Sequence, residues 1–152
     1  KKVRKIFYKK FIAGATKKNL KVCVSLKPLY KLKKKGYKLI VLSNARKKYL
    51  TTSVKNLEMK DLFDGVYGSK PNKTKDKLLK KPFKKYKIGP KEVIYVGDRF
   101  SDIDYAHKAH CHAVAIHNKC AWSTMKEIAA EKPDYIIKDF KDLEKLVRKL
   151  NH

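Results

Sequence analysis

Hydrophobic positions along the chain fall into short apolar runs separated by amphipathic stripes. Val3, Ile6, Phe7 and Phe11 recur at helical spacing, and Gly14 with the polar stretch to Lys21 ends that stripe. Val22-Cys23-Val24 is a short apolar run. Leu26, Leu29, Tyr30 and Leu32 then stand among lysines, which predicts an amphipathic helix over 25–35, with Ser25 as N-cap and Gly36 at its C-terminus. Leu39-Ile40-Val41-Leu42 predicts a buried strand ending at Ser43-Asn44. A basic helix follows from about Arg46 to Leu57, then a turn at Phe63-Asp64-Gly65 and a short strand at Val66-Tyr67. After a loop at 68–72, a helix is predicted from Lys73, with Leu78, Leu79 and Phe83 on one side and Pro82 expected to end or kink it.

Val93-Ile94-Tyr95-Val96 suits a strand buried on both faces of a parallel sheet, and Gly97 ends it. The spacing predicts helices over 102–109, 122–131 and 142–150 and strands over 114–116 and 135–137. The helix after Gly97 would take Asp98 or Ser101 as its N-cap. Strands alternate with helices, without repeats or a long linker, which predicts a parallel α/β sheet with flanking helices.

With 152 residues, 43% of them hydrophobic, the chain can bury the core of one domain. No apolar run approaches the ~18–20 residues that span a bilayer, and no secretory pattern is visible, so no membrane partner is expected. The chain does not begin with Met, which reads as a piece of something longer or a processed product. Cys23, Cys111 and Cys120 match neither a disulfide framework nor a CxxC metal site, which favours a reducing, intracellular compartment. His107, His110, Cys111, His112, His117 and Cys120 crowd together, but their spacing matches no familiar zinc pattern. Trp122 and the tyrosines read as packing residues.

Charge changes the picture more. Forty basic residues oppose fourteen acidic ones, a net +26, and the first acidic residue is Glu58. Residues 1–76 carry net +19 and residues 77–152 net +7. A lysine-rich genome explains the lysines but not the scarcity of Asp and Glu. Such a field attracts polyanions, most simply RNA, with Lys33, Lys34, Lys35, Arg46, Lys47 and Lys48 as candidate contacts. The alternative fate of those side chains is a solvated helix face.

Three strand ends carry polar residues in sequence order: Ser43-Asn44, Lys70-Pro71 and Asp98 with Asp102. The C-terminal edge of an open α/β sheet is where ligands bind. There a hydroxyl and the Asn44 N–H can bond phosphoryl oxygens, and a lysine can offset developing negative charge. Paired carboxylates suit Mg²⁺, a hard cation that shares oxygen ligands with phosphate.

With these residues in place, the chain resembles the haloacid dehalogenase superfamily of phosphohydrolases. The stretch from Gly36 to Ala45 looks like the family's second motif, with Ser43 in the phosphate-binding place. Phe63 to Pro71 looks like the approach to the third, with Lys70 as its lysine. Val96 to Asp102 is similar to the fourth, whose acidic residues bind Mg²⁺. The resemblance implies a Rossmann-type parallel sheet, Mg²⁺-dependent hydrolysis of phosphate monoesters, and Ser43 and Lys70 as catalytic residues. His110 stands where many relatives have a glycine.

The family's first motif, an Asp-x-Asp on the first strand, is absent, because no acid precedes Glu58. Two readings of residues 1–20 explain the gap. Residues 3–12 are the end of a cap domain, with the first strand outside the sequence, or Lys5-Ile6-Phe7-Tyr8 is a degenerate first strand. Residues 21–152 form the core domain in both. The expectation is a phosphohydrolase domain inactive as the chain stands. The alternatives are a non-catalytic RNA-associated protein, such as a component of a ribosome-like particle, and a structural subunit whose sheet another chain or segment completes.

Overall fold

A computed structural model describes residue 20 and residues 22–69 and 75–150. The stripe at 3–12, the alternative strand at 5–8 and Lys70 lie outside the described residues. The elements alternate in the order α1 (Lys27–Lys34), β1 (Ile40–Arg46), α2 (Lys47–Asn56), β2 (Gly65–Ser69), α3 (Lys75–Tyr86), a 3₁₀ turn (Pro90–Glu92), β3 (Ile94–Gly97), α4 (Phe100–Lys108), β4 (His112–Ile116), α5 (Met125–Ala130), β5 (Tyr135–Ile137) and α6 (Phe140–Leu150). No helix among the described residues is long and apolar enough to cross a membrane.

All strand pairing is parallel. β1 pairs with β2, and β3, β4 and β5 form a second ladder in that order, so the parallel strands with flanking helices lie in two ladders among the described residues. Side chains join them. Side chains alternate faces along a strand, and here the two faces feed two cores. Leu29 and Leu32 of α1, Val114 of β4, and Leu143, Leu146 and Val147 of α6 form one, with Leu39, Ile94 and Val96 packed against it. Tyr95 of β3, Ala113 and Ala115 of β4, Leu79 of α3, Ile103 and Ala106 of α4 and Ile128 of α5 form the other, joined by Leu42 of β1. The strands are covered on both faces, which is why their sequences read as continuous apolar runs.

Several local expectations are corrected. α3 continues through Pro82 without ending. Pro82, Leu78 and Leu79 are all buried, and that burial offsets a helix-interior proline cost of about 3 kcal/mol. α1 begins at Lys27 behind Leu26, with no side-chain cap, while the Ser25 N–H donates to Asp139 Oδ2 at 2.8 Å. α4 has Arg99 as its N-cap residue, not Asp98 or Ser101. β1 runs past Ser43-Asn44 to Arg46 through a register shift between Ser43 and Arg46. α5 is shorter than expected because Thr124 caps it, in a reciprocal box with Glu127. His110 follows α4 with φ of +58°, the left-handed region that the resemblance assigned to a glycine.

The cysteine reading is also corrected. Cys23 and Cys120 form a disulfide with Cα atoms 6.3 Å apart, and Cys111 is free and buried. With two of three cysteines bonded, their count no longer argues for a reducing compartment. The His and Cys residues around 107–120 do not assemble either. Among the described residues, no group of three or more His, Cys, Asp or Glu side chains is placed to hold a metal ion.

Candidate active site

β3 ends on Gly97, and Asp98 stands in the turn that follows. Asp98 Oδ2 accepts the Trp122 N–H at 3.3 Å, and the Asp98 carbonyl accepts the Ser123 N–H at 3.2 Å. Ser123 Oγ in turn accepts the Phe100 N–H at 3.1 Å. The loop between β4 and α5 is thereby tied to the β3–α4 turn at three points. The Arg99 guanidinium lies over the Trp122 ring, 4.3 Å from its centroid. Asp98 is half-buried, whereas Trp122 is 76% exposed.

Asp102 sits in the first turn of α4 and is only 3% exposed. A Cβ on Gly97 would lie 2.6 Å from Asp102 Cγ and 2.7 Å from its Oδ2, so the carboxylate packs directly on the glycine backbone. The buried Tyr95 phenol lies beside it. Burial first, then the Asp102 charge, pushes the Tyr95 phenol far above its ordinary pKa. The two carboxylates therefore differ. Asp102 is clamped between Tyr95 and Gly97, while Asp98 is the more accessible donor at the end of its strand.

Ser43 lies just before the irregularity in β1, and its Oγ accepts the Ala45 N–H at 3.1 Å, which leaves the hydroxyl proton free to donate. Gly68 stands opposite Ser43 across the ladder. A side chain there would collide with the Lys47 backbone and come within 2.8 Å of the Ala45 carbonyl, so β2 closes tightly on this bend. Asn44 is exposed. Asp98, with Asp102 behind it, could offer carboxylate oxygen to a hard divalent cation; Mg²⁺ is commonly held by one or two carboxylates with water and phosphate completing its octahedron.

The candidate polyanion contacts divide. Lys33 Nζ reaches the Leu62 carbonyl at 3.1 Å and Asp64 at 3.7 Å, and Lys35 pairs with Glu144 at 3.3 Å. Lys34, Arg46, Lys47 and Lys48 are exposed. Sequence reading missed Arg99, Phe100, Trp122 and Ser123 as neighbours of Asp98. The available signal was the chain's single tryptophan standing in a polar loop after a buried strand.

The sequence profile of the haloacid dehalogenase-like hydrolases matches residues 1–116, and the chain belongs to this family. It is similar to a phosphoglycolate phosphatase of Mannheimia succiniciproducens, with 31% identity over 122 residues, covering 76% of this chain and 52% of that protein. It is also similar to one of Pasteurella multocida, with 32% identity over 115 residues, covering 72% of this chain and 49% of that protein. A solved structure described as a predicted phosphoglycolate phosphatase of Haemophilus somnus superposes with a TM-score of 0.71 at 31% identity, over 80% of this chain and 54% of that one. A haloacid dehalogenase-like hydrolase of Streptococcus pneumoniae shares the fold at a TM-score of 0.72 and 23% identity, over 80% of this chain and 57% of that one. The chain thus spans about half the length of the curated relatives it matches.

Proposed function

We propose that this chain carries the phosphate- and cation-binding residues of a Mg²⁺-dependent phosphomonoesterase. The observation that carries the reading is the pair of strand ends. Ser43 with a free hydroxyl proton follows the apolar run of β1, and Asp98, with Asp102 clamped behind it, follows that of β3. Ser43 and the Asn44 N–H would bond phosphoryl oxygens, and Lys70 would offset charge on the phosphoryl group. Asp98 and Asp102 would hold Mg²⁺, which when bound supplies a Lewis acid for the phosphoryl oxygens. The relatives named as phosphoglycolate phosphatases support a phosphorylated small molecule as substrate.

Attack on phosphorus needs a carboxylate ahead of Ser43, and none of the residues before Glu58 is acidic. These 152 residues alone are therefore inactive in this reading. β1 and β3 each pair on one side only among the described residues, which leaves edges that a further parallel strand bearing the attacking aspartate would fit. The test is calorimetric titration with Mg²⁺ and inorganic phosphate, alongside aryl phosphate hydrolysis by the full-length protein. Saturable phosphate binding that requires Mg²⁺ and weakens at least tenfold in Asp98→Asn is expected. No binding of either ion at millimolar concentration, together with no hydrolysis, would overturn the proposal.

A second reading, RNA association, draws on the exposed and unpaired lysines of α3. Lys77, Lys80, Lys81 and Lys84 form no ion pair among the described residues. It requires a steep fall in RNA affinity with rising salt, and a flat response rejects it.

A further inference from the structure

Seven large apolar side chains are exposed among the described residues, and three of them stand on the two segments that are tied together at Asp98. Trp122 is 76% exposed, Phe100 47% and Met125 43%. Each belongs to a segment fastened to Asp98. Trp122 donates its N–H to the Asp98 carboxylate, Phe100 is bonded to Ser123, and Ser123 is bonded to the Asp98 carbonyl. Met125 opens α5 directly after the Thr124 cap. Arg99 covers one face of the indole at 4.3 Å. The indole is thus a flat platform with a cation on one side and solvent on the other. Its backbone is fixed to the carboxylate that the phosphatase reading gives to the metal.

We infer that this rim binds the non-phosphate end of the substrate, and that this end is a planar aromatic group, as in a nucleoside or aryl phosphate. The inference rests on the phosphomonoesterase reading and deepens it. An exposed indole face stacks on a flat ring in offset geometry, and a thioether makes favourable contacts with ring edges. Stacking on an aromatic side chain is tolerant of which base is presented. Three side chains are far too small a patch for a stable protein interface, which needs about 800 Å² from each partner. The size fits a ligand of one or two rings. A short hydroxyacid phosphate has no surface to place there, so the rim would separate this chain's preference from the substrate in its relatives' names.

Trp122 is the only tryptophan in the 152 residues, so its fluorescence reports the rim directly. The chain, with Mg²⁺ present, is titrated with adenosine 5′-monophosphate, phenyl phosphate, phosphoglycolate, inorganic phosphate and unphosphorylated adenosine. Saturable change in the indole emission with the two aromatic phosphates is expected, with affinity at least about tenfold tighter than for phosphoglycolate or inorganic phosphate. By calorimetry, Trp122→Ala should bring that ratio close to one, and Trp122→Phe should keep most of it. If all four phosphates bind within threefold of one another, the phosphate site stands and the rim proposal falls. A preference that survives Trp122→Ala also overturns it. Adenosine binding without any phosphate binding would support the rim and count against the phosphatase reading. If nothing binds, both fail.

Discussion

Replacing Gly97 with alanine tests how Asp102 is held. The added Cβ would sit 2.6 Å from Asp102 Cγ and 2.7 Å from Oδ2, where carbon contacts are comfortable only at about 3.5–4.0 Å. The neighbour cannot yield cheaply. Asp102 is 3% exposed, anchored in the first turn of α4 and set beside the buried Tyr95 phenol. Two responses are open. Asp102 stays and the strand end distorts, an overpacking cost of about 1–3 kcal/mol. Or Asp102 shifts off the glycine and drags the first turn of α4 with it, at a cost of the same order, about 1–3 kcal/mol. Both point to a loss of about 2 kcal/mol, or a melting point lower by about 4–8 °C in a chain of this size. Gly89→Ala is the control. Its only close neighbour would be Glu92 Oε2 at 3.3 Å, the end of an exposed, flexible side chain. Urea and thermal unfolding of the two variants, followed by circular dichroism, make the comparison. If Gly97→Ala lies within about 0.5 kcal/mol of the parent, Asp102 is not clamped and the asymmetry between the two aspartates is wrong.

Leu62 is fully buried in the first core, and Leu62→Ala should destabilise the chain by about 2–5 kcal/mol in urea unfolding; a change below 1 kcal/mol would place it outside the core. Glu144 is held below the ordinary carboxylate pKa, first by its hydrogen bond from Lys35 and then by the charges of Lys31, Lys35 and Arg148. A carboxyl with a lower pKa in the folded state contributes stability above its unfolded value and loses it as the pH falls. Any stability advantage of the parent over Glu144→Gln should therefore shrink below about pH 4.3, and an advantage that grows on acidification would contradict it. Cys23 and Cys120 are 97 residues apart in sequence, a separation for which loop-closure models give stabilisation of up to about 4–5 kcal/mol. Reductant should lower the melting temperature of the parent and leave Cys120→Ser unmoved, and equal shifts in both would argue against the bond. Burial pushes the Cys111 thiol up to about 11, so Cys111 should resist thiol reagents at pH 8 until the chain is unfolded.

The strands were legible because burial on both faces writes itself as uninterrupted apolar runs, as at Val93–Val96 and Val114–Ile116. Tyr135–Ile137 was placed to the residue. Helix ends were less legible where tertiary contacts overrule local chemistry. Ser25 has the right side chain for a cap, but its N–H is drawn to Asp139, and Pro82 stays inside α3 because its ring is buried. At the candidate site, Ser43, Asp98 and Asp102 could be picked from strand-end position and spacing. Trp122 and Ser123 could not. They lie more than twenty residues beyond Asp98 and reach it only because β4 pairs beside β3 and returns its following loop to the same end. The disulfide was illegible for the same reason, since nothing in a 97-residue separation tells which loops the fold will bring together.

The division of the strands into two ladders has a consequence for how the native chain opens. No ladder hydrogen bond crosses from β1–β2 to β3–β4–β5 among the described residues, so there the seam between the two blocks is held by side chains. α3 straddles that seam, touching β1 and β2 on one side and α4 on the other. Opening there would wet Leu42 and Tyr95 while both blocks kept their backbone pairing. Native-state hydrogen exchange would register it as amides of α3 exchanging ahead of those in either ladder, a partial unfolding whose boundary runs between the two halves of the candidate site.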